Sequence, residues 1–165
     1  MTDIKAAPSD LSAEEAVLGS CLVDAETVFK LDLVPYDFYR EKNRWTWEAI
    51  QACQGKGTPV NQISVAHELG QKLEAAGGAA YLSHLVDQCP TSVYAEHYAK
   101  IVKAHSQNRR LISGANQIAE LAYQGDGALD KAEDIIANLR REAGGAKYLT
   151  PQEWADYALK MYGTL

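Results

Sequence analysis

One stretch of this sequence leaves little choice of fold. Tyr94, Tyr98, Ile101, Val102, His105, Asn108, Leu111, Ile112, Ala115, Ile118, Ala119 and Ala122 recur at steps of three and four. That is the period of one helix face, and it predicts about 30 residues of continuous amphipathic helix. Gln124-Gly125-Asp126-Gly127 supplies a turn. Leu129, Ala132, Ile135, Ile136 and Leu139 then build a second stripe that stops before Gly144-Gly145. Two amphipathic helices on a short turn make an antiparallel hairpin, expected over residues 93–142.

Such a hairpin has a narrow apolar seam and little thickness, so it needs a surface to dock on. Small and polar members of the stripe, Asn108 and Ala115, suit contact between chains. Leu111, Ile112, Ala115, Ile118 and Ile136 are therefore candidates for self-association. Ordinary intramolecular core is the competing reading of the same residues, and spacing alone does not separate the two.

Residues 1–92 read as a head of five or six short helices. Ser12-Ala13-Glu14-Glu15 has the form of a capping box and opens an apolar segment through Leu22. Asp24 is placed to cap a short piece through Val28 and Leu31. Pro35 ends that connection. Phe38, Tyr39, Trp45, Trp47, Ala49, Ile50 and Cys53 mark a longer helix, stopped by Gly55 and Gly57. Asn61 caps a helix carrying Ile63, Ala66, Leu69 and Leu73. Gly77-Gly78 breaks it, with at least one residue expected at positive φ, and Ala80, Leu82, Leu85 and Val86 form one more helix before Cys89-Pro90. No stretch shows the alternation of a strand, so the fold class is all-α.

A glycine-containing linker is expected at 143–149 and a further helix start at 150–165. Thr150-Pro151-Gln152-Glu153 combines an N-cap, a proline at the first helical position and a glutamate three residues on. Trp154, Tyr157 and Met161 then share a face that calls for a docking surface. About 12 helical residues are too few to be stable alone, so a longer protein is expected to continue this unit.

Charge and cysteine content exclude whole classes of function. The chain carries 16 basic and 22 acidic residues, a net charge of −6. The excess is local: residues 1–94 hold 7 basic and 13 acidic residues, whereas 95–142 hold 7 of each. Proteins that bind DNA tightly display a basic stripe, and none is evident, so direct tight DNA binding is not expected. Cys21, Cys53 and Cys89 are scattered, with no CxxC pair, and read as buried reduced thiols rather than a zinc site. The absence of an 18-residue apolar run argues against a membrane span. The first ten residues lack a signal-like apolar core, so a cytoplasmic location is expected.

Catalytic patterns are missing. A phosphate-binding loop needs G-x-x-x-x-G-K-[ST], and the Gly55-Lys56 pair is followed by Gly57. His67-Glu68 lacks the second histidine of a zinc protease helix. Glu14 and Glu15 read as acidic residues favoured by the helix dipole. No catalytic residue, cofactor-binding residue or metal ligand is expected.

Six segments together carry a resemblance. Glu14-Glu-Ala-Val-Leu-Gly-Ser-Cys-Leu-Val-Asp24 is similar to the opening of the N-terminal domain of bacterial DnaB-family replicative DNA helicases. Asp37-Phe-Tyr-Arg-Glu41 with Arg44 and Glu48-Ala-Ile50 resembles the next signature, and Gly57-Thr-Pro-Val60 the loop after it. Gly77-Gly-Ala-Ala-Tyr-Leu82, His97-Tyr-Ala-Lys-Ile-Val102 and Arg110-Leu-Ile-Ser113 with Ala115-Asn-Gln-Ile-Ala-Glu120 follow in order. The resemblance covers about Leu11 to Glu142. Asn61 departs from it, standing where family members often carry aspartate, and Lys147–Leu165 fits the family's linker helix by position and capping alone.

The resemblance implies a helical head, a hairpin and a linker leading to a RecA-type motor, whose ATP- and Mg-binding loop lies outside these 165 residues. It also implies that hairpins pair between subunits and that heads assemble into a hexameric collar. That collar recruits the primase C-terminal domain, with a helicase loader as a further partner. Ile112 and Ile118, the isoleucines of the two hairpin motifs, become candidates for the primase surface, and Ile118→Asn is the variant expected to weaken it. Trp154, Tyr157 and Met161 become the linker-helix docking face. The leading functional reading is a non-catalytic assembly and primase-docking domain of a replicative helicase. The alternative is a free-standing helicase-head mimic that regulates a full-length helicase, and a third is an enzyme with a non-standard site.

Overall fold

The protein was analysed as a computed structural model that describes residues 5–144. Among them there are α-helices and short 3-10 turns and no strand, so the chain is all-α. The helices are α1 (Leu11–Val23), α2 (Glu41–Gly55), α3 (Gln62–Leu69), α4 (Gly78–Asp87), α5 (Ala95–Gln124) and α6 (Ala128–Glu142). Three 3-10 turns, Ala25–Lys30, Pro35–Asp37 and Gly70–Lys72, join them. The chain divides into two compact units, 1–112 and 113–165. The first therefore runs past the expected head boundary at 92 and takes in more than half of α5.

Helix α1 is the centre of the first unit. Ala13, Val17, Leu18, Cys21 and Leu22 are all buried, as are Glu14 and Ser20, so most of the helix circumference lies inside the core. Its N-cap is Asp10, whose carboxylate accepts from the Ala13 amide at 2.9 Å, and not Ser12. The expected box fails because Glu15 does not reach back: it faces His84 at 3.1 Å and Arg40 at 3.7 Å. Gly19 lets α4 come close, since a Cβ built there would stand 2.2 Å from the Leu85 carbonyl oxygen.

Helix α2 adds Trp47, Ile50 and Cys53 to that core. Phe38 and Tyr39 precede the helix instead of opening it. Phe38 is buried against Trp47 with ring centroids 5.5 Å apart, and the indole N–H is satisfied by the Leu33 carbonyl at 3.2 Å. The expected caps at Asp24 and Asn61 are present. Asp24 accepts from the Glu26 amide and Asn61 from those of Ile63 and Ser64.

Helix α3 ends at Leu69, where Gly70 takes a φ of 53°, so Leu73 falls in the following turn. Ile63 is 83% exposed, and Val65 takes the core position expected of it. Gly77 and Gly78 both have positive φ, 103° and 69°. The three thiols are free and buried. Burial pushes the Cys21 thiol up to about 12.

In the second unit, the end of α5 and α6 pack as a hairpin turned by Gly125 and Gly127, both at positive φ. The seam is narrow. Gly114 and Ala132 are buried, and Ile118, Leu121, Ile135 and Leu139 are half-buried. A Cβ at Gly114 would stand 2.7 Å from a Leu139 methyl and 3.3 Å from one of Ile135, so glycine is what allows the helices to close there.

Candidate partner-docking surface

The first half of α5 buries Ala95, Ala99, Val102 and Ser106 on the head, and its half-buried Tyr98 and Ile101 pack against the same core. The small residues among these give close approach but little apolar area. Polar contacts complete the attachment. Asp37, at the end of its 3-10 turn, is 0% exposed. Its carboxylate accepts from the Ser106 hydroxyl at 2.6 Å and the Val34 amide at 2.9 Å, and pairs with Lys103 and Arg110 at 3.1 Å each. A buried carboxylate is tolerable only when it is bonded and paired in this way.

A second buried carboxylate organises the turn before α2. Glu14, 1% exposed, accepts from the Tyr39 amide at 2.6 Å and from the Asn43 side-chain amide at 2.7 Å. Asn43 in turn accepts from the Tyr81 hydroxyl at 2.6 Å. Burial, followed by the nearby Glu15 charge, raises the Tyr81 pKa above its ordinary value. Glu14 stands in the first turn of α1, where the helix dipole favours a carboxylate, but its hydrogen-bond partners lie 25 and more positions away. No local pattern could show that.

Against this fixed background the candidate docking residues separate. In the first unit Leu111 is 58% and Ile112 49% exposed. In the second, Ile136 is 48% exposed and Ala115 is exposed, whereas Ile118 is half-buried in the hairpin seam. Of the two isoleucines considered for a partner, Ile112 is the one open to solvent. Leu129, 74% exposed, adds an apolar residue that belongs to the second stripe and not to its seam. Trp154, Tyr157 and Met161 lie outside the described residues.

This surface can bury apolar area and little else. Each large aliphatic side chain removed from water contributes about 1.5–3 kcal/mol at most. Among the described residues no group of three or more His, Cys, Asp or Glu is placed to hold a metal ion. No described helix is long and apolar enough to cross a membrane.

Comparison with known proteins matches these features to one family. Residues 6–104 match the model of the DnaB-like helicase N-terminal domain. The replicative DNA helicase DnaB of Geobacillus stearothermophilus is 37% identical over 150 residues, covering 85% of this chain and 33% of that protein. The replicative DNA helicase DnaC of Bacillus subtilis is 34% identical, with 86% and 32% covered. The chain thus spans about a third of the length of these relatives.

The crystal structure of the N-terminal domain of DnaB helicase from Mycobacterium tuberculosis superposes with a TM-score of 0.78 at 33% identity, over 81% of this chain and 99% of that one. A DnaB-like replicative helicase, described with its interactions with primase, superposes with a TM-score of 0.72 at 25% identity, over 90% of this chain and 34% of its own. With its all-α head and helical hairpin, the chain belongs to the DnaB-like helicase N-terminal domain family.

Proposed function

We propose that this chain is the assembly and primase-docking part of a replicative DNA helicase and is not catalytic by itself. The observation that carries the reading is the exposure of large apolar side chains in each unit: Leu111 and Ile112 in the first, and in the second Ile136, left out of a seam already filled by Gly114, Ile118, Ala132 and Leu139. Apolar residues left over from an internal seam have a partner outside it. Similarity to a helicase described with its primase interactions supports naming that partner.

On this reading hairpins pair between chains through Leu111, Ile112, Ala115 and Ile136, with Ile118 supporting the seam from within. The heads build a collar, hexameric in the full protein, and the primase C-terminal domain docks on it with Ile112 at the contact. A helicase loader is a further partner of the full protein. ATP and Mg belong to a motor domain outside this sequence, and tight DNA binding is left to that domain as well.

Isothermal calorimetry with the cognate primase C-terminal domain tests the docking. Ile112→Asn should weaken binding about tenfold or more, as loss of a buried aliphatic contact implies, while circular dichroism stays unchanged. Ile118→Asn should weaken binding and also lower the thermal midpoint. Equal affinity for the wild type and Ile112→Asn would place the docking site elsewhere.

A further inference from the structure

Around residues 36–40 the surface of this acidic chain turns basic. Arg44 donates from Nε to the Phe38 carbonyl at 2.7 Å and from Nη2 to the Tyr39 carbonyl at 3.4 Å. Arg109 donates from Nη1 to the Pro8 carbonyl at 2.7 Å and from Nη2 to the Asp37 carbonyl at 2.6 Å. Lys103 and Arg110 reach the Asp37 carboxylate, and Arg40 stands 3.7 Å from Glu15. Four cations therefore surround one short segment that carries a fifth, Arg40.

Glu41 is exposed beside them, but two of the carboxylates that offset them lie inward. Asp37 is 0% and Glu14 1% exposed. Arg44 and Arg109 are held on neutral carbonyl oxygens, and among the described residues neither forms an ion pair. Burial lowers the Arg109 pKa most, the Glu14 charge opposes this, and the Arg44 charge adds to the lowering.

Two tyrosines interleave with the cations. Tyr36, 60% exposed, has the guanidinium carbons of Arg44 and Arg110 at 5.1 and 5.7 Å from its ring centroid. Tyr39, 42% exposed, has that of Arg109 at 5.5 Å.

We propose that this arginine–tyrosine patch binds an acidic peptide segment of a partner protein, its carboxylates meeting Arg44 and Arg109 and its flanking side chains packing on Tyr36 and Tyr39. Charge complementarity selects the occupant. A carboxylate brought to a guanidinium held only by backbone carbonyls makes a charge-assisted hydrogen bond without displacing an existing ion pair. Nucleic acid fits less well. Residues 1–94 carry −6 in total, so a long polyanion meets repulsion once it leaves the patch. A short segment with a few carboxylates avoids this problem.

Fluorescence anisotropy of the whole chain with a fluorescein-labelled hexaglutamate peptide tests the proposal. The expected result is saturable, salt-sensitive binding that falls about tenfold or more in Arg44→Glu, the scale of reversing a charge-assisted contact. Tyr36→Ala removes an exposed ring and should weaken binding without touching the carbonyl contacts, so it keeps the test sharp if Arg44→Glu folds poorly. No saturable binding into the millimolar range, or equal affinity in the wild type and Tyr36→Ala, would overturn the proposal. Tighter binding of a twelve-residue oligothymidine than of the peptide would give the patch to nucleic acid instead. A changed sedimentation coefficient in Arg44→Glu, with no peptide binding by the wild type, would give it to contacts between copies.

Discussion

The Ser106 hydroxyl donates to the carboxylate of Asp37 at 2.6 Å, joining two residues 69 positions apart. This contact ties α5 to the head by a polar bond that adds to the apolar contacts of Tyr98, Ile101 and Val102. Lys103 and Arg110, one turn to either side of Ser106, complete the attachment.

Asp37→Ala should therefore be among the most damaging substitutions in the head. It removes the buried carboxylate that pairs with Lys103 and Arg110, and breaking a buried pair costs about 3–5 kcal/mol. Their side chains are 24% and 19% exposed, so water offsets part of this and the low end of the range is expected. Ser106→Ala should cost about 1.5–3 kcal/mol, one neutral donor to a charged acceptor. Urea denaturation followed by circular dichroism measures both, and an unshifted midpoint for Asp37→Ala would show that α5 is held by other means.

The start of α1 offers a paired test. Asp10→Ala removes the side-chain acceptor of the Ala13 amide and should cost about 1 kcal/mol. Ser12→Ala should change thermal stability little, because Ser12 is exposed and inside the helix. The opposite ranking of thermal midpoints would restore the capping box at Ser12.

Alkaline pH should expose the buried thiol of α1. Cys21 is pushed up to about 12 from an ordinary 9.0, first by burial and then by the neighbouring Cys89 and Asp24 charges. Below pH 9 the thiol is protonated in both the folded and unfolded chains. Its contribution is present there and is lost as pH rises from 9 towards 12, where only the unfolded chain releases the proton. Tyr81, also raised, adds to the same decline at still higher pH. Native protein should resist iodoacetamide at Cys21 at pH 8, and Cys21→Ala should flatten the fall in stability above pH 9. Rapid labelling of native Cys21 would show that the site opens.

Much of the architecture follows from local pattern. The three-and-four spacing along α5 and α6, the turn at Gly125–Gly127, the caps at Asp24 and Asn61 and the positive φ at Gly77–Gly78 depend on neighbours in sequence, and the structure contains them. What local pattern misses depends on distant partners. Asp10 displaces Ser12 because Glu15 is drawn to His84 and Arg40. Glu14 is buried because Tyr39 and Asn43 supply donors.

The candidate docking residues were legible as a stripe, but their separate burial was not. Leu111, Ile112, Ala115 and Ile118 all obey one helical period. Only the packing of α6 onto Gly114 puts Ile118 in the seam and leaves Ile136 outside it. The glycine that decides this carries no hydrophobic signal at all. Its significance lies in the Leu139 and Ile135 methyls that occupy the space a Cβ would take.

Sedimentation equilibrium of the whole chain across the micromolar range tests the central claim, that the exposed hairpin residues are an assembly surface, most directly. The wild type should form dimers at least, and a six-membered assembly at higher concentration. Ala115→Arg puts a charge where two chains meet, costing several kcal/mol if it is buried unpaired, and should yield a folded monomer. Ile136→Ser should weaken association in the same direction. A wild type that stays strictly monomeric at high micromolar concentration would contradict the account.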